Sequence, residues 1–245
     1  MNLKNDYYVS MVNAHAHSSV PWQQDVLSDL LCGISLPPDP RILDVGAGIG
    51  NNIPTLVRLS SSITAVDVSN DTLVMLKQKY KNAPATIHTI VADIEALPLG
   101  DDAFDLVICT EVFEHVKNMP KAITECTRVL KPGGYIILSS PNYFNLAGIV
   151  KIVYEWLYPE RSWDAWGNHE HGRENMTNSR RLRSMSKMSG LIILQTRGGD
   201  AIRSWLPFLK KYYHFIDKHP ARSLGTLSVI KYLLMNFFIL GRKPN

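Results

Sequence analysis

The stretch Arg41-Ile-Leu-Asp-Val-Gly-Ala-Gly-Ile-Gly50 holds the residues of this 245-residue chain whose types and spacing point most directly to chemistry: Asp44, Gly46, Ala47, Gly48 and Gly50. Glycines placed where an apolar run ends allow backbone angles closed to residues with a Cβ, and they let a ligand lie against main-chain N–H groups. The G-x-G-x-G spacing is one residue tighter than the G-x-G-x-x-G that seats a dinucleotide pyrophosphate, and an acid stands two residues ahead of the first glycine. A nucleotide-type ligand other than a dinucleotide is therefore expected. Asp67 ends the next apolar run, seventeen residues after Gly50, where a carboxylate can accept hydrogen bonds from both hydroxyls of a ribose. Two further runs end in acids, Thr86 to Asp93 and Phe104 to Glu111, so four successive runs set glycines or acids at one rim of a sheet.

Histidines supply the candidate bases. His115 follows the fourth run at the same rim, and an imidazole titrating near neutrality is the usual choice for removing a proton from a hydroxyl or an ammonium. His169 and His171 flank Glu170; with no further acids at useful spacing, no metal site is expected there. Tyr143, just past the run Tyr135 to Ser140 at the same rim, is a further catalytic candidate, and with Trp156, Trp163 and Trp166 it could wall a flat or sugar-like substrate. Arg173, Arg180, Arg181 and Arg183 could meet phosphate or carboxylate groups, although a solvated helix face explains the last three equally well.

The elements that must position these residues follow from the pattern. A helix beginning at Pro21 carries Val26, Leu27, Leu30 and Leu31 at helical spacing, and Leu36 to Pro40 is a rigid connector. Ile42 to Val45 reads as a buried strand, and Ile53, Leu56, Val57 and Leu59 read as a helix packed on the sheet. Ser69 caps a helix over Asp71 to Lys81. Further helices are expected over Pro120 to Leu130, over Asn145 to Leu157, and from Thr177 as cap to Met188. Strands are expected at Tyr135 to Ser140, Leu191 to Gln195 and Asn236 to Lys243. Strands alternating with helices imply right-handed crossovers and a parallel sheet with helices on both faces, and ligands then bind at the carboxyl ends of the strands.

The segments D-V-G-A-G-I-G, V-D-V-S, V-A-D-I-E-A-L-P-L, F-D-L-V-I-C-T-E-V-F-E-H-V and V-L-K-P-G-G-Y-I-I-L-S-S-P-N resemble, in order and spacing, the successive motifs of class I S-adenosylmethionine-dependent methyltransferases. Within that class the chain is most similar to the small-molecule group that includes the ubiquinone and menaquinone biosynthesis enzymes, over roughly residues 39 to 142. The resemblance implies an α/β, Rossmann-like, seven-stranded and mostly parallel sheet with a cap inserted after strand five. It divides the chain into an N-terminal arm and helix (1–38), a cofactor-binding core (39–144), the substrate cap (145–176) and the rest of the sheet with helical additions (177–245). It also implies S-adenosylmethionine as cofactor, S-adenosylhomocysteine as product, and methyl transfer to oxygen or nitrogen of a small molecule. Gly46, Ala47, Gly48 and Gly50 would meet its methionine part, with Asp44 orienting the turn or the ammonium. Asp67 would meet the ribose and Val68, Asp93 and Ile94 the adenine, and Glu111 would open the wall beside the methyl group.

Two other readings stay open. An RNA or protein acceptor is suggested by charge: residues 151–245 hold 16 Lys and Arg against 7 Asp and Glu, whereas residues 1–150 hold 10 against 15. Against nucleic acid, Cys109-Thr-Glu111 stands where amino-methylating enzymes of that kind carry N/D-P-P-Y/F. A nicotinamide-dependent oxidoreductase would share the sheet but leave Asp93 and Glu111 unexplained. The basic half suggests an anionic small molecule or a membrane surface, with 224–240 as the membrane candidate. Three scattered cysteines and a polar first segment lead to the expectation of a cytoplasmic protein.

Overall fold

In the computed structural model the described residues are 21–159, 162–163, 168–169, 175–199, 226 and 229–245. The elements in chain order are α1 (Pro21–Leu31), β1 (Ile42–Val45), α2 (Ile53–Leu56), β2 (Ser62–Asp67), α3 (Asn70–Lys79), β3 (Thr86–Val91), β4 (Phe104–Cys109), α4 (Met119–Val129), β5 (Leu130–Pro141), α5 (Leu146–Leu157), β6 (Ser162–Trp163), β7 (Asn168–His169), α6 (Ser179–Met188), β8 (Ile192–Gly199) and β9 (Asn236–Arg242). Seven strands form one sheet in the order β3-β2-β1-β4-β5-β9-β8, and β6 pairs with β7 in a separate ribbon. The first five strands of the sheet run parallel; β9 is antiparallel to both β5 and β8.

Why these residues make this sheet is visible in burial. All four residues of β1 are buried, as a strand covered on both faces requires. Successive residues alternate between two cores. Ile42, Ile63, Leu106 and Ile108 face α1 and α3, while Leu43, Val45, Val107 and Cys109 face α4 and α6. Ser69 caps α3 as expected, accepting from Thr72 N, and Lys77 and Lys79 sit in its last turn where the helix dipole favours cations. At the end of α4, Lys243 Nζ donates to the carbonyls of Thr127, Arg128 and Leu130 at 2.7 to 3.3 Å. The last strand thus satisfies acceptors that a helix terminus leaves open.

The differences from expectation are local. The helix after Gly50 is a single turn, Ile53–Leu56. The cap of α6 is Asn178, accepting from Arg181 N, because Thr177 Oγ1 is spent on the carbonyl of Pro141. The proposed membrane stretch 224–240 is corrected by its end: Leu234 to Leu240 are buried, since β9 runs between β5 and β8. No helix among the described residues is long and apolar enough to cross a membrane.

Candidate active site

The glycine turn is shaped by its neighbours. Gly46 N and Ala47 N both donate to the carbonyl of Val66, and Gly46, Gly48 and Gly50 have φ of 68°, 51° and 84°. Two of these positions require glycine for different reasons. A Cβ on Gly46 would run into the γ-methyls of Val112, whereas one on Gly48 would meet nothing within 4 Å and would project into the space a ligand needs.

Asp67 closes β2 directly beside this turn. Its Oδ2 accepts from Gly48 N at 2.8 Å and its Oδ1 from Ser69 N at 2.9 Å, so one carboxylate ties the glycine loop to the start of α3. Burial raises its pKa, and the amides of Ser69 and Gly48 oppose that rise. Asp93 stands at the start of the 3₁₀ turn Ile94–Ala96, its side chain accepting from Glu95 N.

Glu111 is the most constrained residue of the rim. It lies just past β4 with φ of 56°, a conformation rare for a residue with a side chain. Its Oε1 accepts from Ser139 Oγ at 2.6 Å and its Oε2 from Asn236 Nδ2 at 2.5 Å, so donors from β5 and β9 hold both oxygens. Backbone strain of this kind persists where the surroundings over-determine it, which marks functional rims.

These residues line one cleft at the carboxyl ends of β1, β2, β3 and β4. Gly46, Gly48, Asp67, Val68, Asp93, Ile94, Glu111 and His115 all face it, as do Thr72, Glu95, Val112 and Lys117. Val68 is about half exposed there, giving the cleft an apolar wall. His115 has its Nε2 3.7 Å from Glu114 Oε1.

Other predicted site residues lie elsewhere. Asp44, Ala47 and Gly50 do not line the cleft: Asp44 and Ala47 are buried, and Gly50 is packed beside the Tyr80 ring. The structure places Tyr143 away from the cleft: it is buried against Ala147 and Met235 with Lys151 Nζ 5.1 Å from its ring, because the chain turns inward after Pro141 to be knitted by Asn142 to Leu234 and Ser179. The side chain of His169 and the whole of His171 lie outside the described residues.

Asp44 carries the clearest electrostatic signal. It is wholly buried; Oδ1 accepts from Asn52 Nδ2 at 2.9 Å, while Oδ2 has no hydrogen-bond partner in the structure. Burial raises its pKa to about 7, with Asn52 opposing and Asp67 adding to the rise. An acid with its folded pKa raised from 3.8 binds a proton in the native state that the unfolded chain releases between about pH 4 and 7. Stability therefore falls as pH rises through that window and levels off above it. Urea melts should show a loss approaching ~1 kcal/mol per pH unit between pH 5 and 7 that Asp44→Asn abolishes. An identical slope in the variant would mean that Asp44 is ionised in the native protein.

Sequence reading missed Asn52, which bridges Asp44 and Thr110 Oγ1, and it missed Val112, Ser139 and Asn236. The asparagine pair after Gly50 was a usable signal, since neither residue is needed for a buried helix start. Asn236 had none: it lies 125 residues from the carboxylate it holds.

Comparison with known proteins agrees with this geometry. Residues 43–138 match the family model described as a methyltransferase domain. The chain is 34% identical over 138 residues to the malonyl acyl-carrier-protein O-methyltransferase of Methylococcus capsulatus, covering 55% of this chain and 49% of that one. It is 31% identical over 127 residues to the ubiquinone biosynthesis O-methyltransferase of Alkalilimnicola ehrlichii, covering 51% and 50%. The chain thus spans about half the length of these relatives. Among solved structures, an S-adenosylmethionine-dependent methyltransferase of Methanosarcina mazei superposes with a TM-score of 0.64 at 15% identity, covering 87% of this chain and 97% of that one. The cyclase SpnF superposes with 0.62 at 21%, covering 90% and 80%, so likeness at this level speaks for the fold alone. Sheet order and glycine turn agree with the match of residues 43–138 to the methyltransferase-domain model, and the solved structures share the Rossmann-like α/β sheet.

Proposed function

We propose that the protein is an S-adenosylmethionine-dependent methyltransferase acting on oxygen or nitrogen of a small-molecule acceptor. The observation that carries this reading is one cleft that joins the bare backbone of Gly46 and Gly48 to the Asp67 carboxylate and to three further acids, Asp93, Glu95 and Glu111. Four carboxylates favour a cation, and the cofactor carries a sulfonium and an ammonium. The residues fit it in one further respect: a cradle that a Cβ on Gly48 would enter.

When bound, the cofactor supplies a methyl group on a positively charged sulfur, which leaves as a neutral thioether. The chain need supply no covalent nucleophile, so its contribution is position and exclusion of water. Asp67 would accept from the ribose hydroxyls, Val68 and Ile94 would flank the base with Asp93 at its edge, and the glycine turn would carry the amino-acid part. Glu111, fixed by Ser139 and Asn236, would hold the wall nearest the methyl group. His115 is the residue of the cleft suited to take a proton from a hydroxyl or ammonium acceptor. Lys117 beside it suits an acceptor bearing a carboxylate or phosphate. His169 and His171, in the segment assigned to the cap, remain the second pair of candidate bases.

The O-methyltransferase names of the relatives support the small-molecule reading over an RNA or protein acceptor. A tritiated-methyl transfer assay over pooled small metabolites, RNA and protein, preceded by calorimetry with S-adenosylmethionine and NAD, tests it. Label entering the small-molecule fraction is expected. Binding of NAD alone, or label confined to RNA or protein, would contradict it.

A further inference from the structure

Helix α5 is inside out. Its residues Ile149, Ile152, Val153, Trp156 and Leu157 recur at the i, i+3, i+4 spacing that makes one helical stripe, and all are at least half exposed, Trp156 to 79%. The opposite face holds the helix's charged residues. Lys151 is 0% exposed, and its Nζ lies 2.6 Å from Glu155 Oε1 and over the Tyr143 ring. In a helix that merely covered a core the two faces would be exchanged, because burying an ion pair gains little and exposing apolar surface costs free energy. The stripe is extended at its two ends by exposed Phe144 and Tyr158.

Helix α6 supplies charge at one end of the stripe. α6 carries Arg180, Arg181, Arg183 and Lys187 and no acid, and the Arg180 guanidinium stacks 5.6 Å from the Phe144 ring at the start of the stripe. An apolar stripe with aromatic ends and a cation stacked on one of them suits a helix that lies in the plane of a membrane interface. A second copy of this chain is a poorer occupant, since a two-fold contact through the stripe would bring one cationic α6 towards the other.

We propose that α5 lays this stripe into the headgroup region of an anionic lipid bilayer, with the arginines of α6 on the lipid phosphates. The inference uses no residue of the cofactor cleft and stands independently of the reaction.

Co-sedimentation of the full chain with phosphatidylcholine vesicles, with and without phosphatidylglycerol, tests it. Binding is expected to the anionic vesicles, much less to neutral ones, and to weaken as salt is raised. Trp156→Glu with Ile152→Glu should lower the partition coefficient by about tenfold or more. Arg180→Gln with Arg181→Gln should lower it for the anionic vesicles only. The four positions are exposed in the folded chain, so an unchanged melting temperature and unchanged S-adenosylmethionine affinity confirm that each variant is folded. Absence of binding to anionic vesicles would overturn the proposal. So would a dimer in sedimentation velocity that Trp156→Glu dissociates, which would assign the stripe to a second copy.

Discussion

Gly46→Ala is expected to destabilise the protein by about 2 to 5 kcal/mol, a large fraction of what holds an ordinary domain folded. Two costs add. Alanine at φ of 68° pays roughly 1 to 2 kcal/mol for the left-handed backbone. Its Cβ must also displace the γ-methyls of Val112 from a rim already packed, an overpacking cost of roughly 1 to 3 kcal/mol. Gly48→Ala separates the two, because φ there is 51° but nothing stands within 4 Å. It should lose only the backbone share of stability while losing affinity for S-adenosylmethionine. Urea denaturation of both variants and of Gly46→Ala with Val112→Ala, which relieves the steric share alone, checks the division. Equal losses at Gly46 and Gly48 would show that Val112 yields freely.

Asp67→Ala should weaken S-adenosylmethionine binding by about 1 to 3 kcal/mol, roughly five- to 150-fold, because a charged acceptor shared by two sugar hydroxyls is lost. The variant also strips Gly48 N and Ser69 N of their acceptor, so the glycine loop and the start of α3 loosen together. Asp67→Asn keeps one acceptor oxygen and should fall between the two in affinity. Calorimetry with S-adenosylhomocysteine reads both values without turnover, and an unchanged affinity in the alanine variant would remove Asp67 from the site.

How far the sequence revealed this site depends on how local each determinant is. The glycine turn, Asp67, Asp93 and Glu111 were legible because each closes an apolar run, and a parallel sheet puts the ends of its strands at one rim. The cap Ser69 was legible for the same reason, since a capping bond spans three residues. What stayed hidden is set by tertiary contact. Spacing put Tyr143 at the rim, but β5 continues to Pro141 and the Asn142 side chain, donating to the carbonyls of Tyr232 and Leu234, draws the following residues inward. The stretch 224–240 reads as an apolar face, and only the insertion of β9 between β5 and β8 shows that its second half is core. The inversion of α5 was invisible as well, because periodicity reports that a helix has an apolar stripe and not which way the stripe points.

Crystals of the full chain grown with S-adenosylhomocysteine put the central claim to its most direct trial. The nucleoside should lie across the tips of β1, β2 and β3, its ribose hydroxyls within hydrogen-bond distance of the Asp67 carboxylate and its amino-acid tail on Gly46 and Gly48. A nucleoside bound elsewhere, or a ribose out of reach of Asp67, would contradict the account.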